Sequence, residues 1–325
     1  MSDLVTIFGG SGFIGQYATR ALIRAGFRVR IAVRTPDNAQ HLVDPDNRAS
    51  VEIVKADIRD FASVERAVEG ADAVVNLVGI LYEQGGQSFA AAQRDGAVNV
   101  AKAVAEAGLS RFVQMSAIGA QEGAKAAYAD TKGEAERLVQ EAVPHAVILR
   151  PSIVFGPEDD FFNRFAELAS SPVSHIAPFL PAIGGGQTLL QPVYVGDVAD
   201  AIVASLTRDD VAGKTFELGG PERYSFKALY RFISEAIKRK RYPLTLPFFV
   251  AKPMGMVMSG VWNVPFLPIW TVFGPPPITG DQVEMLKTDN VVSNGALTLA
   301  DLGLSEPASI EAIVPNYLTK YQPKA

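Results

Sequence analysis

Three side chains stand at spacings that can move a proton. Tyr128-Ala129-Asp130-Thr131-Lys132 sets a phenol and an ammonium four residues apart, which on a helix is one face. An ammonium there lowers the phenol pKa, and the phenol can then serve a carbonyl or an alcohol as general acid or base. The same lysine can hold a ribose. Ser116 follows the apolar run Arg111–Met115 and can orient a substrate oxygen. The alternative is a helix tyrosine and a surface lysine that bind ribose and do no chemistry.

A second cluster could take an anion. Gly9-Gly10-Ser11-Gly12-Phe13-Ile14-Gly15 joins an apolar run to a helical pattern. Gly9 allows the tight turn, Gly12 lets the backbone approach a diphosphate, and Gly15 permits close helix–strand packing. The amides of Phe13 and Ile14 lie at the helix start, where free N–H groups and the positive dipole end favour phosphate. The alternative is a tight turn without a ligand. NAD-binding sheets usually end the second strand in a carboxylate, but Arg28–Arg34 ends in Arg34 and the next carboxylate is Asp37. A guanidinium suits a 2′-phosphate, so the expected cofactor is NADPH or NADP; a solvated loop cation is the other reading. Asp57-Ile58 follows Val51–Lys55 and either borders the adenine or forms a simple turn.

These residues need strands and helices in alternation. Apolar runs predict strands at Leu4–Phe8, Phe27–Val33, Val51–Lys55, Ala73–Val78, Arg111–Met115 and Ala146–Leu149. Helical spacing predicts helices over 13–25, 63–68, 97–107 and 125–142. Several strands are continuous apolar runs, the mark of a parallel sheet covered on both faces. The expected class is α/β, a Rossmann-type doubly wound parallel sheet with a smaller mixed C-terminal domain. Prolines and glycines become dense after about 155. The expected division is 1–155, with about 188–220, for the sheet domain, and 221–325, with about 156–187, for the second.

Composition narrows the chemistry. Thirty basic and 35 acidic residues give a net charge of −5, a poor basis for nucleic-acid binding. There is no cysteine, and His41, His145 and His175 are scattered, so no metal site is expected. Met1–Asp3 run at once into Leu4–Phe8 with no basic flank, so no targeting segment is expected.

The C-terminal half carries another signal. Residues 222–252 hold eight basic side chains against two acidic ones, four of them in Lys238-Arg239-Lys240-Arg241. No charged residue occurs from Pro253 to Gly280, and both tryptophans lie there. Prolines 265, 268 and 275–277 forbid a continuous spanning helix. A basic cluster beside an aromatic apolar stretch suits a membrane surface or a membrane complex. An apolar substrate pocket with a solvated helix end would use the same residues.

Gly9–Gly15, Asn76-Leu77-Val78-Gly79, Ser116 and Tyr128/Lys132 together resemble the short-chain dehydrogenase/reductase superfamily, of the extended or atypical kind. Arg150-Pro151-Ser152-Ile153-Val154-Phe155-Gly156 resembles its segment bordering the nicotinamide. That resemblance adds Val78, Gly79, Pro151 and Ile153 to the cofactor contacts. Val154–Asp159, Gln191–Ala199, Gly219–Tyr224 and Ile278-Thr279-Gly280-Asp281-Gln282-Val283-Glu284 are similar, more narrowly, to the NADPH-containing accessory subunits of respiratory complex I (NADH:ubiquinone oxidoreductase). The narrower resemblance implies a redox fold that retains its nucleotide and serves assembly and stability, outside the main electron path. It implies other complex I subunits as partners, through 238–241 and 253–277 at the membrane surface. The implied location is peripheral, on the cytoplasmic face of a bacterial inner membrane (the matrix side in mitochondria). Only twelve positions separate Ser116 from Tyr128, fewer than extended reductases commonly have. The rival expectation is an NADP-dependent reductase or epimerase for an apolar carbonyl or a sugar nucleotide, with Tyr128 as acid/base.

Overall fold

The computed structural model describes residues 2–83, 87–171, 179–262 and 278–323, the side chains of 258–262 excepted. The first half alternates as its apolar runs require. Leu4–Phe8 (β1) leads through the glycine loop to Phe13–Arg24 (α1), then Arg28–Val33 (β2) and Val51–Lys55 (β3). Phe61–Val68 (α2), Ala73–Asn76 (β4), Gly96–Glu106 (α3), Phe112–Met115 (β5), Ala127–Ala142 (α4) and Val147–Pro151 (β6) follow. Gly26 at φ +90° ends α1, where a side chain would strain the left-handed turn.

Seven strands form one parallel sheet in the order Thr215–Leu218, β6, β5, β4, β1, β2, β3. The order reverses between β1 and β4, the switch point where doubly wound sheets open a crevice. One face packs on α1 and Val195–Thr207, around Leu22, Ile31 and Ile202. The other packs on α2, α3 and α4, around Val64, Val100, Phe112 and Val139. Covering both faces is what makes β1 buried at every position. The expected Rossmann-type class is therefore the observed one.

Most predicted boundaries shift by one or two residues, and two departures border the site. β4 ends at Asn76 instead of Val78, because the Asn76 side chain turns back to accept the Val78 amide at 3.1 Å. Before α3, Ala90–Asp95 winds as a π-helical turn, which no local spacing announces.

After Phe155 the chain leaves the sheet, to return with Val195–Thr207 on its face and Thr215–Leu218 at its edge. It builds a third core of Phe155, Phe162, Leu229, Tyr230, Ile233 and Val314 among helices Phe161–Ser170, Phe226–Ala236 and Ile310–Leu318. A parallel ladder of Phe179–Ile183 with Tyr242–Leu246 leads into helix Phe248–Trp262. Asn290 stitches this region to the sheet: its Nδ2 donates to the Ile118 carbonyl, and Ser152 Oγ donates to its Oδ1.

Candidate dinucleotide site

The loop after β1 is tightly closed. Gly9 sits at φ +81°, and the Gly12 amide donates back to its carbonyl at 3.0 Å. A Cβ on Gly15 would lie 2.4 Å from that same oxygen, so only hydrogen fits there. A Cβ on Gly12 would meet nothing nearer than 3.3 Å, and Gly12 is exposed. Gly12 caps α1 without a side chain, so the first-turn amides, Phe13 and Ile14 included, receive no side-chain cap. The two side chains themselves are structural: Phe13 stands edge-on to Tyr17 at 5.9 Å, and Ile14 packs on the sheet core.

Beside this loop stand Arg34, exposed just beyond β2, and Asp57 beyond β3. The Asp57 carboxylate is held by Arg59 at 2.6 Å. That hydrogen bond keeps Asp57 below the usual carboxylate range, and the Arg34 charge adds to it. Among the described residues Arg34 itself makes no ion pair. Ile58 is buried against Gly96, where a Cβ would approach it to 2.4 Å.

Of the three residues that could move a proton, Ser116 follows β5, while Tyr128 and Lys132 lie on α4. Lys132 is buried, and its Nζ donates to the Met115 carbonyl at 3.0 Å. A Cβ on Gly79 would lie 3.5 Å from the same ammonium. Gly9 in turn lies against Val78: a Cβ there would come 3.2 Å from its amide nitrogen. Gly9, Val78, Gly79, Lys132 and Met115 thus form one line of contact. Burial pushes the Lys132 ammonium down to about 8, with Glu136 pulling the other way. Burial pushes the Tyr128 phenol up to about 12, and the Asp281 carboxylate adds to the rise. The Tyr128 ring is half-buried, edge-on to Phe89 at 5.9 Å. Among the described residues Ser116 Oγ is buried without a hydrogen-bond partner. Pro151 accepts the Ile118 amide at 3.0 Å on the neighbouring strand, whereas Ile153 packs toward the Phe155 core.

Three site-bordering residues escaped the sequence reading. Asp281 accepts the amides of Ala127 and Tyr128 at 2.6 and 3.1 Å. The signal was Ala126, an N-cap with no side chain to cap with. Gln93, in the π-turn, donates to the Ile80 carbonyl at 2.8 Å, and its own Oε1 is buried without a partner. Asn290 is the third. Among the described residues no cluster has the make-up of a metal site.

Lys238 and Lys240 are exposed, but the cluster is divided. Arg239 donates to the Tyr321 carbonyl and Arg241 to that of Ala169, so two of the four expected surface cations also close the fold. Phe179, Tyr242 and Leu244 on the ladder, and Phe249, Met256 and Val257 on the helix, are exposed. Of the expected 253–277 stretch, residues 263–277 lie outside the described residues. No described helix is long and apolar enough to cross a membrane.

Comparison with known proteins narrows the family. Residues 9–160 match a family described as NAD(P)H-binding, and residues 120–217 match the 3-beta hydroxysteroid dehydrogenase/isomerase family. The chain is 35% identical over 324 residues to NADH dehydrogenase (ubiquinone) 1 alpha subcomplex subunit 9, mitochondrial, of Arabidopsis thaliana, covering 98% of this chain and 78% of that one. The chain belongs to that subunit family. The resemblance carried by the glycine loop and the late segments is thereby borne out. The subunit family shares its fold with enzymes. A ceramide reductase of Caulobacter vibrioides is 30% identical over 293 residues, 88% of this chain and 85% of that one. The structure of a nucleoside-diphosphate-sugar epimerase from Staphylococcus aureus superposes with a TM-score of 0.70 at 17% identity, over 99% of this chain and all of that one.

Proposed function

We propose that this protein is an accessory subunit of respiratory complex I that holds NADP(H) as a stabilising cofactor and does not turn it over. In this reading the sheet unit, 1–155 with about 188–220, binds the nucleotide. The remainder, 221–325 with about 156–187, docks on neighbouring subunits and the membrane surface. The protein is then peripheral, on the side of the membrane that faces the cytoplasm of a bacterium.

The residues present fit a dinucleotide. The uncapped start of α1 and the open side of Gly12 suit a diphosphate. Arg34 suits a 2′-phosphate, because the nearby Asp57 carboxylate is already held by Arg59. Lys132 Nζ, beside Gly79, suits a ribose hydroxyl, and the partnerless Ser116 Oγ offers a hydrogen bond at the same end. A bound nicotinamide supplies a hydride donor or acceptor.

The observation that carries non-turnover is the state of Tyr128. Its phenol is raised to about 12, and the nearest charge acting on it is the Asp281 carboxylate. A general acid or base works best with a pKa near the working pH, and an anion beside the phenol moves it the wrong way. Lys132, the group that would lower it, is not among the causes acting on the phenol; its Nζ donates to the Met115 carbonyl instead.

The test is to purify the chain with its membrane complex, release the nucleotide, and follow NADPH oxidation with Tyr128→Phe as control. The reading expects about one NADP(H) per chain and no oxidation that depends on Tyr128. A second reading, an NADP-dependent reductase for an apolar carbonyl, is favoured by the retained Ser116, Tyr128 and Lys132 and by the ceramide reductase match. Tyr128-dependent NADPH consumption with a long-chain keto substrate would establish it.

A further inference from the structure

The helix carrying Tyr128 and Lys132 is not capped by its own sequence. Its N-cap is Ala126, and the backbone amides of Ala127 and Tyr128 instead donate to Asp281, 154 and 153 positions away. A carboxylate at a helix N-terminus satisfies orphan amides and suits the dipole. Asp281 belongs to the short helix Gly280–Met285, which Thr279 and Gln282 close with a reciprocal capping box. That helix lies backbone to backbone against the apolar helix Phe248–Trp262. A Cβ on Gly255 would come 2.8 Å from the Thr279 carbonyl carbon, and one on Gly280 would come 2.9 Å from Met256 Cγ. Lys252 on the apolar helix and Lys287 both pair with Glu284, at 2.6 and 2.9 Å. Ala251 and Val283 are buried in a common small core with Ile183. The apolar helix and Asp281 are therefore packed as one piece.

About one turn on from the cap, the same helix presents Lys132 to Gly79 and Met115. From this juxtaposition we infer that Asp281 is a positioning residue linking the Lys132 end of the dinucleotide cradle to the apolar helix Phe248–Trp262, so that nucleotide occupancy and the seating of that helix stabilise one another. The inference rests on the nucleotide reading above. Linkage makes the effect reciprocal: whatever fixes the apolar helix tightens the nucleotide, by the same factor as the nucleotide steadies the helix. The device also explains why a retained cofactor could matter to docking without any turnover.

Hydrogen exchange on the full chain, with and without NADPH, tests it. In the wild-type protein NADPH slows exchange about tenfold in the glycine loop, in 127–136 and in 248–257. In Asp281→Ala, NADPH still protects the glycine loop, but protection of 248–257 falls below twofold; Asp281→Asn restores part of it. A role confined to fold stability would lower the melting temperature and leave the nucleotide-dependent protection of 248–257 in place, which overturns the inference. Gly255→Val works from the opposite side and is expected to speed exchange at 127–130 and weaken NADPH binding severalfold. Unchanged exchange there counts against the link. If the wild-type chain binds NADPH and protects its glycine loop but not 248–257, the link fails while the nucleotide reading stands. If it binds no nucleotide at all, both fall.

Discussion

The carboxylate of Asp281 receives the backbone amides of Ala127 and Tyr128, at 2.6 and 3.1 Å, and so closes the helix that carries the Tyr–Lys pair. It does two things at once. It fixes the helix, and its charge joins burial in holding the Tyr128 phenol near 12. A residue that anchors the motif thereby works against proton transfer from it.

The first prediction concerns that phenol. Its hydroxyl has no hydrogen-bond partner among the described residues, so Tyr128→Phe should change stability by no more than about 0.5 kcal/mol. Nucleotide content after purification should stay the same. Denaturant melts and a nucleotide release assay check both.

Two glycines three residues apart should separate folding from binding. Gly15→Ala forces a Cβ to 2.4 Å from the Gly9 carbonyl oxygen and should cost about 1–3 kcal/mol, as overpacking does. Gly12→Ala meets nothing closer than 3.3 Å, so the chain should fold while losing at least about tenfold in NADPH affinity. Melting curves with and without NADPH distinguish the two, because a ligand bound only by the native state raises stability.

Arg34 should set the choice of cofactor. A charge-assisted bond is worth about 1.5–3 kcal/mol, so Arg34→Ala should weaken NADPH about tenfold or more and leave NADH unchanged. The ratio of the two dissociation constants is the readout.

Lys132 gives a pH signature. In the folded, nucleotide-free chain its ammonium titrates near 8, against an ordinary value of 10.5. Between those values the unfolded chain binds the extra proton, so stability rises with pH across that window. Below 8 the full penalty applies, on the order of 3 kcal/mol. Lys132→Met removes it but leaves the Met115 carbonyl without its donor, at a cost of about 1 kcal/mol. The variant should be about 1–2 kcal/mol more stable at pH 7, and the gap should close by pH 10.5. Nucleotide affinity should fall in the same variant. A gap that does not change with pH would refute the assignment.

The exposed cations can be tested apart from the structural ones. Each lysine near an anionic surface is worth roughly 1 kcal/mol. Reversing Lys238 and Lys240 should therefore reduce sedimentation with anionic vesicles by about thirtyfold or more, without a change in melting temperature. Arg241→Ala removes the bond to the Ala169 carbonyl and should lower the melting temperature as well.

The sheet was legible because parallel strands buried on both faces leave unbroken apolar runs, as Leu4–Phe8 does; Val51–Lys55, with Glu52 and Lys55, is the half-buried edge strand. The glycine loop was legible because its geometry tolerates so few residues. Asp281 was quoted only as part of a late segment, since a cap 154 positions away leaves no local pattern. The Gln93 turn was missed for the opposite reason: Ala90–Asp95 sits beside α3 and winds as π rather than α, a difference alanine-rich sequence does not encode. The basic run read as four equivalent cations; which of them turn inward depends on carbonyls at Ala169 and Tyr321, far along the chain.

An anionic dinucleotide resting against the first turn of α1 is the central claim. The direct measurement is the nucleotide released on denaturing the purified protein, identified and counted against the chain. A 2′-phosphorylated pyridine nucleotide near one per chain, retained by Tyr128→Phe and lost by Gly12→Ala, is the predicted result. A folded chain that releases none, and whose melting temperature ignores added NADPH and NADH alike, would contradict it.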